Sequence, residues 1–157
     1  MHHGLEFQLQ ILVFTVALQP LSILVVDDDD VAAEVVTRCI GHQLLDCRVV
    51  VAQDGQTALE ILRGLHPDKV IRKPYVILLD LKMPRMNGVE FLKELRLDEA
   101  LRGTVVFVLS SSDAPADRVS AYHEFAAGYL DKANLGHRLA GLARFIDEYR
   151  SACTLPE

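Results

Sequence analysis

Three aspartates stand where buried apolar runs stop. Asp27 and Asp28 follow the run LSILVV (Leu21–Val26), and Asp80 follows Val76, Ile77, Leu78 and Leu79 within YVILLDLKMPRMNG, residues 75–88. Two more runs end in the same manner: TVVFVL, residues 104–109, stops at Ser110, and GYLD stops at Lys132. In an open parallel sheet such positions collect at the carboxyl edge, where the loops leaving the strands converge. Carboxylates brought together repel one another unless a cation joins them, and hard oxygen ligands suit Mg²⁺, which commonly keeps several waters. An ionised aspartate can attack phosphorus to give an acyl phosphate while a metal neutralises charge on the phosphoryl oxygens. Lysine supplies a second cation and serine a hydrogen bond. These are the parts needed to take up a phosphoryl group and sense its presence.

Positioning them requires alternating strands and helices. The unbroken run before Asp80 is what a central parallel strand covered on both faces demands. Pro84 then ends the extended path, and Asn87-Gly88 gives a turn that opens a helix at Val89. Upstream, the pattern predicts a strand over Leu21–Val26, a helix over about 31–40, a turn near Gly41 and a strand over Cys47–Ala52. Asp29 or Asp30 suits the cap of that first helix, where a carboxylate accepts free amides and matches the dipole. Asp54-Gly55 turns the chain into a second helix with Ala58, Leu59, Ile61 and Leu62 inward, closed by Gly64. Residues 65–74 read as a polar connection. Downstream, Val89, Phe91, Leu92, Leu95 and Leu97 mark a third helix. A fourth strand over 104–109 leads to a fourth helix from Asp113 to about Ala127, with Pro115 in its first turn. A short strand over Gly128–Asp131 precedes a last helix over about 135–150, with Leu139, Leu142, Phe145, Ile146 and Tyr149 inward. Five strands alternating with five helices predict an α/β fold, a doubly wound parallel sheet with right-handed crossovers.

Composition narrows the function classes. A chain of 157 residues, half of them hydrophobic, suits one domain with one core and excludes disorder. A net charge of −6 gives nonspecific nucleic-acid binding no electrostatic support, so a protein or metal partner fits better. Cys39, Cys47 and Cys153 are odd in number and lack CxxC spacing, which points to free thiols in the cytoplasm rather than a disulfide framework or zinc site. Residues 1–19 are expected to form an extension ahead of a domain over 20–157. Their apolar stretch, Leu9 to Leu18, is too short for a bilayer and lacks the basic flank and cleavage site of a secretory signal, so neither membrane insertion nor export follows. Phe7, Leu9, Ile11 and Val13 alternate with Gln8 and Gln10, as in an added edge strand; a helix burying one side is the alternative. Either would pack on the domain or on a second subunit.

In combination these motifs resemble the receiver domain of two-component response regulators, from about residue 21 to 150. VVDD at Val25 to Asp28 resembles that family's acidic pair, LLDLKMPRMNG at Leu78 to Gly88 its phosphoacceptor loop, and GYLDK its lysine motif. The resemblance implies a (βα)5 flavodoxin-like, CheY-like fold with five parallel strands. It implies that Asp80 is phosphorylated, that Asp28 binds Mg²⁺ directly and Asp27 through water, and that the backbone carbonyl of Lys82 completes the protein's share. Ser110 matches the switch hydroxyl and Lys132 the lysine that pairs with the aspartate and later the phosphoryl group. Tyr129 falls at the aromatic switch position. The four-aspartate run also admits a metal-ligand register shifted by one place, although the strand end favours Asp27 and Asp28.

By the same resemblance the phosphodonor is a sensor histidine kinase, and the chain is a stand-alone signalling protein rather than an enzyme. Its output would pass through the face made by the fourth helix, fifth strand and fifth helix. The Lys132-Ala133-Asn134-Leu135 loop and the terminal Leu155-Pro156 are similar to small regulators associated with bacterial phytochrome kinases, which often form homodimers. Some residues depart from the family pattern. Ala133 replaces a proline that commonly follows the lysine through a cis bond; a cis bond without proline costs about 2.5–4 kcal/mol, so the loop is expected to be rearranged or trans. Ser111 stands where a smaller residue is usual, and Lys82 and Ser112 occupy positions that modulate acyl-phosphate hydrolysis.

Two rival functions use the same residues. An aspartate-nucleophile phosphatase would attack in the same way, but that class usually carries a second aspartate two residues after the first, and Lys82 is there. A binding-only pseudo-receiver would result if Ser111 and Ala133 blocked phosphorylation. The histidines call for no chemistry: His2 and His3 are terminal, and His42, His66, His123 and His137 fall on helix faces and loops.

Overall fold

The computed structural model of the chain describes residues 20–44, 46–133 and 140–157. The expected arm over 1–19, with His2 and His3, lies outside these residues, as do Asn134, Leu135, His137 and Leu139. Five strands, β1 (Leu21–Val26), β2 (Cys47–Ala52), β3 (Tyr75–Leu79), β4 (Val106–Ser110) and β5 (Gly128–Asp131), form one parallel sheet. Between and after them run helices α1 (Asp30–Gln43), α2 (Gly55–Leu62), α3 (Gly88–Leu97), α4 (Pro115–His123) and α5 (Ala140–Ala152). The strand order is β2-β1-β3-β4-β5, which makes the sheet doubly wound, as expected from the sequence. The winding reverses between β1 and β3. That reversal opens a crevice at the carboxyl ends of those two strands.

Alternation along each strand builds a core on both faces. Leu24 and Val26 of β1, Ile77 and Leu79 of β3, and Val106 and Val108 of β4 pack with Ala58, Leu59 and Ile61 of α2, Phe91, Leu92 and Leu95 of α3, and Ala121 of α4. The intervening residues Ile23, Val25, Val76, Leu78, Phe107 and Leu109 pack with Ala33, Val36 and Ile40 of α1 and Leu142, Ala143 and Ile146 of α5. Burying one such side chain fully contributes about 1.5–3 kcal/mol, so a one-residue slip of a central strand would forfeit several of these at once. Phe107 makes T-shaped contacts with Phe145 and Tyr149 at centroid distances of 5.0 Å, which seats α5 through the inward residues expected of it.

Caps explain where the helices start. Asp29 accepts the Val31 and Ala32 amides ahead of α1, and Asp54 accepts the Thr57 amide ahead of α2. Asn87 and Glu90 form a reciprocal capping box at α3. Some boundaries differ from the sequence expectation. Helix α1 continues through Gly41 to Gln43, because Ile40 and Leu44 are both buried and their packing outweighs a glycine cost of about 1 kcal/mol. Helix α4 stops at His123 rather than near Ala127, since Phe125 adopts φ 58. Strand β4 begins at Val106, two residues later than its apolar run.

Candidate functional site

Register brings the acidic residues together. Val26 of β1 pairs with Leu79 of β3, so the next residues, Asp27 and Asp80, leave the sheet side by side. The Asp80 amide donates to the Val26 carbonyl at 2.9 Å and the Asp27 amide to the Ala52 carbonyl at 3.0 Å, which extends the ladder into the site. Ligand oxygens of Asp27, Asp28 and Asp80 lie within 4.8 Å of one another. Asp29 and Asp30 are taken up as cap and first residue of α1, which leaves Asp27 and Asp28 as the two residues of the acidic run that stand beside Asp80. Asp27 is buried, Asp80 half-buried and Asp28 exposed, which grades the cluster from core to solvent.

Strand β5 delivers the cation. Ser110 pairs with Asp131, and the Lys132 amide donates to the Ser110 carbonyl at 3.0 Å. From there the Lys132 Nζ reaches Asp27 Oδ2 at 2.9 Å, while the Asp29 amide donates to Asp27 Oδ1 at 3.0 Å. Both oxygens of the buried carboxylate are thus engaged. Lys132 therefore pairs with Asp27 here. The peptide bond from Lys132 to Ala133 is trans: among the described residues the cis bond is Lys73–Pro74.

Electrostatics single out Asp80. Its carboxyl is raised from the ordinary value to about 6, chiefly by burial; Lys132 opposes the rise, while Asp27 and Asp28 add to it. The Leu81 amide also favours the charged form. A carboxylate held in this way gains from an incoming cation. Three carboxylates of oxygen donors, one of them open to solvent, fit a hard divalent ion that retains water. Lys82 is exposed on the loop after Asp80, as is Ser111 after β4.

Around Ser110 and Tyr129 the hydrogen bonds converge on one residue. Ser110 is 1% exposed, and its Oγ accepts the Ser112 amide at 3.2 Å. The Tyr129 hydroxyl donates to the Ser112 carbonyl at 2.9 Å, with its ring half-buried against the core on the α2–α4 face. The Ser112 hydroxyl donates to Asp117 of α4 at 2.6 Å. Ser112 thus touches Ser110, Tyr129 and α4 together.

The loop from Asp80 to Asn87 is held more firmly than its sequence suggests. Leu81 and Met83 are buried, and the Gly88 amide donates to the Leu81 carbonyl at 2.9 Å. A Cβ on Gly88 would stand 2.6 Å from the Asp80 carbonyl oxygen, so glycine is required by close approach of the two ends of the loop. Arg85, at φ 65, pairs with Asp54, and Met86 packs over Gly55. Sequence reading took Asp54-Gly55 only as a turn and gave Arg85 no role. The available signal was a lone charged residue between two methionines at the tip of a chemical loop.

Residues 23–143 match the response regulator receiver domain, and the chain belongs to this family. It is 32% identical over 133 residues to the probable methanogenesis regulatory protein FilR2 of Methanothrix harundinacea, covering 85% of each chain. It is 28% identical over 138 residues to response regulator Rcp1 of Synechocystis, covering 87% of this chain and 94% of Rcp1. The Mn²⁺-bound form of Rcp1 superposes with a TM-score of 0.74 at 26% identity, over 87% of this chain and 99% of that one. The phosphorylated cyanobacterial phytochrome response regulator RcpA superposes with a TM-score of 0.77 at 28% identity, over 87% and 98%. Of several other curated relatives the chain spans 44% of the length. Among the described residues no helix is long and apolar enough to cross a membrane.

Proposed function

We propose that Asp80 accepts a phosphoryl group from the phosphohistidine of a sensor histidine kinase, with Mg²⁺ bound beside it. The observation that carries this reading is the convergence of Asp27, Asp28 and Asp80 within 4.8 Å, with Lys132 2.9 Å from Asp27. Three carboxylates facing one ammonium leave two negative charges, which a divalent cation would balance. In this reading the exposed Asp28 is the direct ligand, Asp27 acts through water because its oxygens are already engaged, and Lys82 contributes its carbonyl. Bound Mg²⁺ would supply positive charge to offset the phosphoryl oxygens.

The residues of the chain divide the remaining work. An Asp80 oxygen forms the new P–O bond as the P–N bond to the donor breaks, and the bonding pair leaves with the imidazole nitrogen. Lys132 holds its ammonium across the site to meet the phosphoryl oxygens. Ser110 turns its hydroxyl from the Ser112 amide toward the phosphoryl group, which moves the loop before α4 and tightens Tyr129 inward. The regulated surface is then α4, β5 and α5. Val119, Tyr122 and Phe125, exposed on or just after α4, support a protein partner there, including a second copy of the chain. Residues 20–157 form the receiver unit in this account, with 1–19 as an extension. The likeness to RcpA, a phytochrome response regulator, supports a phytochrome kinase as donor.

Intact mass after incubation with acetyl phosphate tests the reading. With Mg²⁺ the chain is expected to gain one phosphoryl group, and with EDTA none. No gain at saturating donor and Mg²⁺ would overturn it and leave a pseudo-receiver. Steady turnover of small phosphate esters would favour the phosphatase.

A further inference from the structure

The loops leaving β2 and β3 flank the end of β1, because β1 lies between those strands in the sheet. One cross-link joins the two loops. Asp54, just beyond β2, is 1% exposed. Its Oδ1 accepts the Thr57 amide at 2.8 Å, and its Oδ2 accepts from Arg85 Nη2, at the tip of the β3–α3 loop. Among the described residues Arg85 is the one cation paired with this buried carboxylate. The neighbouring residues repeat the contact in apolar form: a Cβ on Gly55 would meet Met86 Cγ and Sδ at 2.8 Å. Two consecutive loop residues thus grip two consecutive residues at the start of α2.

The backbone shows what this grip imposes. Arg85 sits at φ 65, a conformation unfavourable for a residue with a long side chain, where glycine or asparagine would be the easy choice. Arginine at this point keeps the reach to Asp54 at the expense of local strain. Its side chain is otherwise exposed, so packing does not account for it.

We propose that Arg85 is a positioning residue for the phosphoacceptor site: with Asp54 it latches the tip of the β3–α3 loop to the start of α2, and so fixes Asp80 and the Lys82 carbonyl relative to Asp27 and Asp28. This rests on the phosphoacceptor reading above. A latch across the exit of β1 holds metal ligands from two strands in one geometry, as groups behind a metal's direct ligands commonly do.

The test uses the full chain and three substitutions. Arg85→Gly suits the backbone but removes the cation, Arg85→Lys keeps a cation, and Asp54→Asn keeps the Oδ1 cap acceptor while removing the charge. The readouts are the Mg²⁺ concentration giving half-maximal phosphorylation by acetyl phosphate, direct titration with Mn²⁺, and the thermal midpoint. Arg85→Gly is expected to raise the metal requirement about tenfold, the low end for groups that orient a metal ligand, with little change in thermal midpoint. Arg85→Lys should recover most of the loss. Asp54→Asn should show a similar rise, and the double variant Asp54→Asn/Arg85→Gly no further rise, because both break one link. A native metal requirement in Arg85→Gly, or additive losses in the double variant, would overturn the latch while native phosphorylation stands. A native chain that takes up neither Mn²⁺ nor phosphate would overturn the phosphoacceptor reading and the latch with it.

Discussion

Lys132 reaches Asp27 across 105 residues of sequence, its Nζ 2.9 Å from the Oδ2 of a carboxylate that is 4% exposed. The contact closes the site from the opposite side of the sheet: Asp27 ends β1, and Lys132 follows β5 at the edge. It places the ammonium beside the acidic cluster of Asp27, Asp28 and Asp80.

Removing that ammonium strands a buried charge. Lys132→Met should destabilise the metal-free chain by about 1–3 kcal/mol, below the full cost of a broken buried pair because the lysine is partly open to solvent. Mg²⁺ should restore part of the loss, since a bound cation also neutralises Asp27. Urea unfolding in EDTA and in Mg²⁺ reads both effects. An equal loss in both conditions would separate Lys132 from the metal site.

The raised carboxyl of Asp80 sets a pH dependence with a definite sign. Burial, opposed by Lys132 and reinforced by Asp27 and Asp28, holds it at about 6 in the folded, metal-free chain. An unfolded aspartate titrates near ~3.9, so the folded state binds this proton more tightly. The stabilising contribution is present in full below about pH 4 and is lost as pH rises through about 6. At pH 7.5 in EDTA, Asp80→Asn should therefore be more stable than the native chain, by about 1 kcal/mol once solvent screening of this half-buried group is counted, and the difference should vanish near pH 4. Thermal midpoints across that range check it. Mg²⁺ should raise the native midpoint more than that of the variant.

Arg96 governs the far end of α4. Its guanidinium donates to the carbonyls of Glu124 and Phe125 beyond α4 and of Arg102 and Thr104 ahead of β4, at 2.8–3.1 Å. Arg96→Met should cost about 2–4 kcal/mol, since several charge-assisted bonds are lost together. Hydrogen exchange should rise first in residues 120–127. Unchanged exchange there would show that α4 is held by other contacts.

Much of the fold was legible because its signals are local. Apolar runs with polar stops marked all five strands, and the capping aspartates after β1 together with the Asp54-Gly55 and Asn87-Gly88 turns placed three helix starts. The acidic cluster was equally readable, because each aspartate directly follows a strand and parallel pairing does the rest. What escaped depends on partners distant in sequence. The end of α4 at His123 follows a turn at Phe125 whose carbonyl is held by Arg96, 29 residues earlier. The same arginine takes the Thr104 carbonyl, outside the ladder that begins at Val106. The Arg85 link to Asp54 likewise spans 31 residues. No periodicity or cap rule reports such a pair.

Asp80 is the proposed phosphoryl acceptor among the aspartates and serines at this sheet edge. Trapping the acyl phosphate with borohydride after incubation with acetyl phosphate and Mg²⁺, followed by peptide mapping, tests it directly. The account predicts conversion of position 80 to homoserine, absent from Asp80→Asn and from an EDTA control. Homoserine at position 27 or 28, or none in a folded chain that binds Mn²⁺, would contradict it.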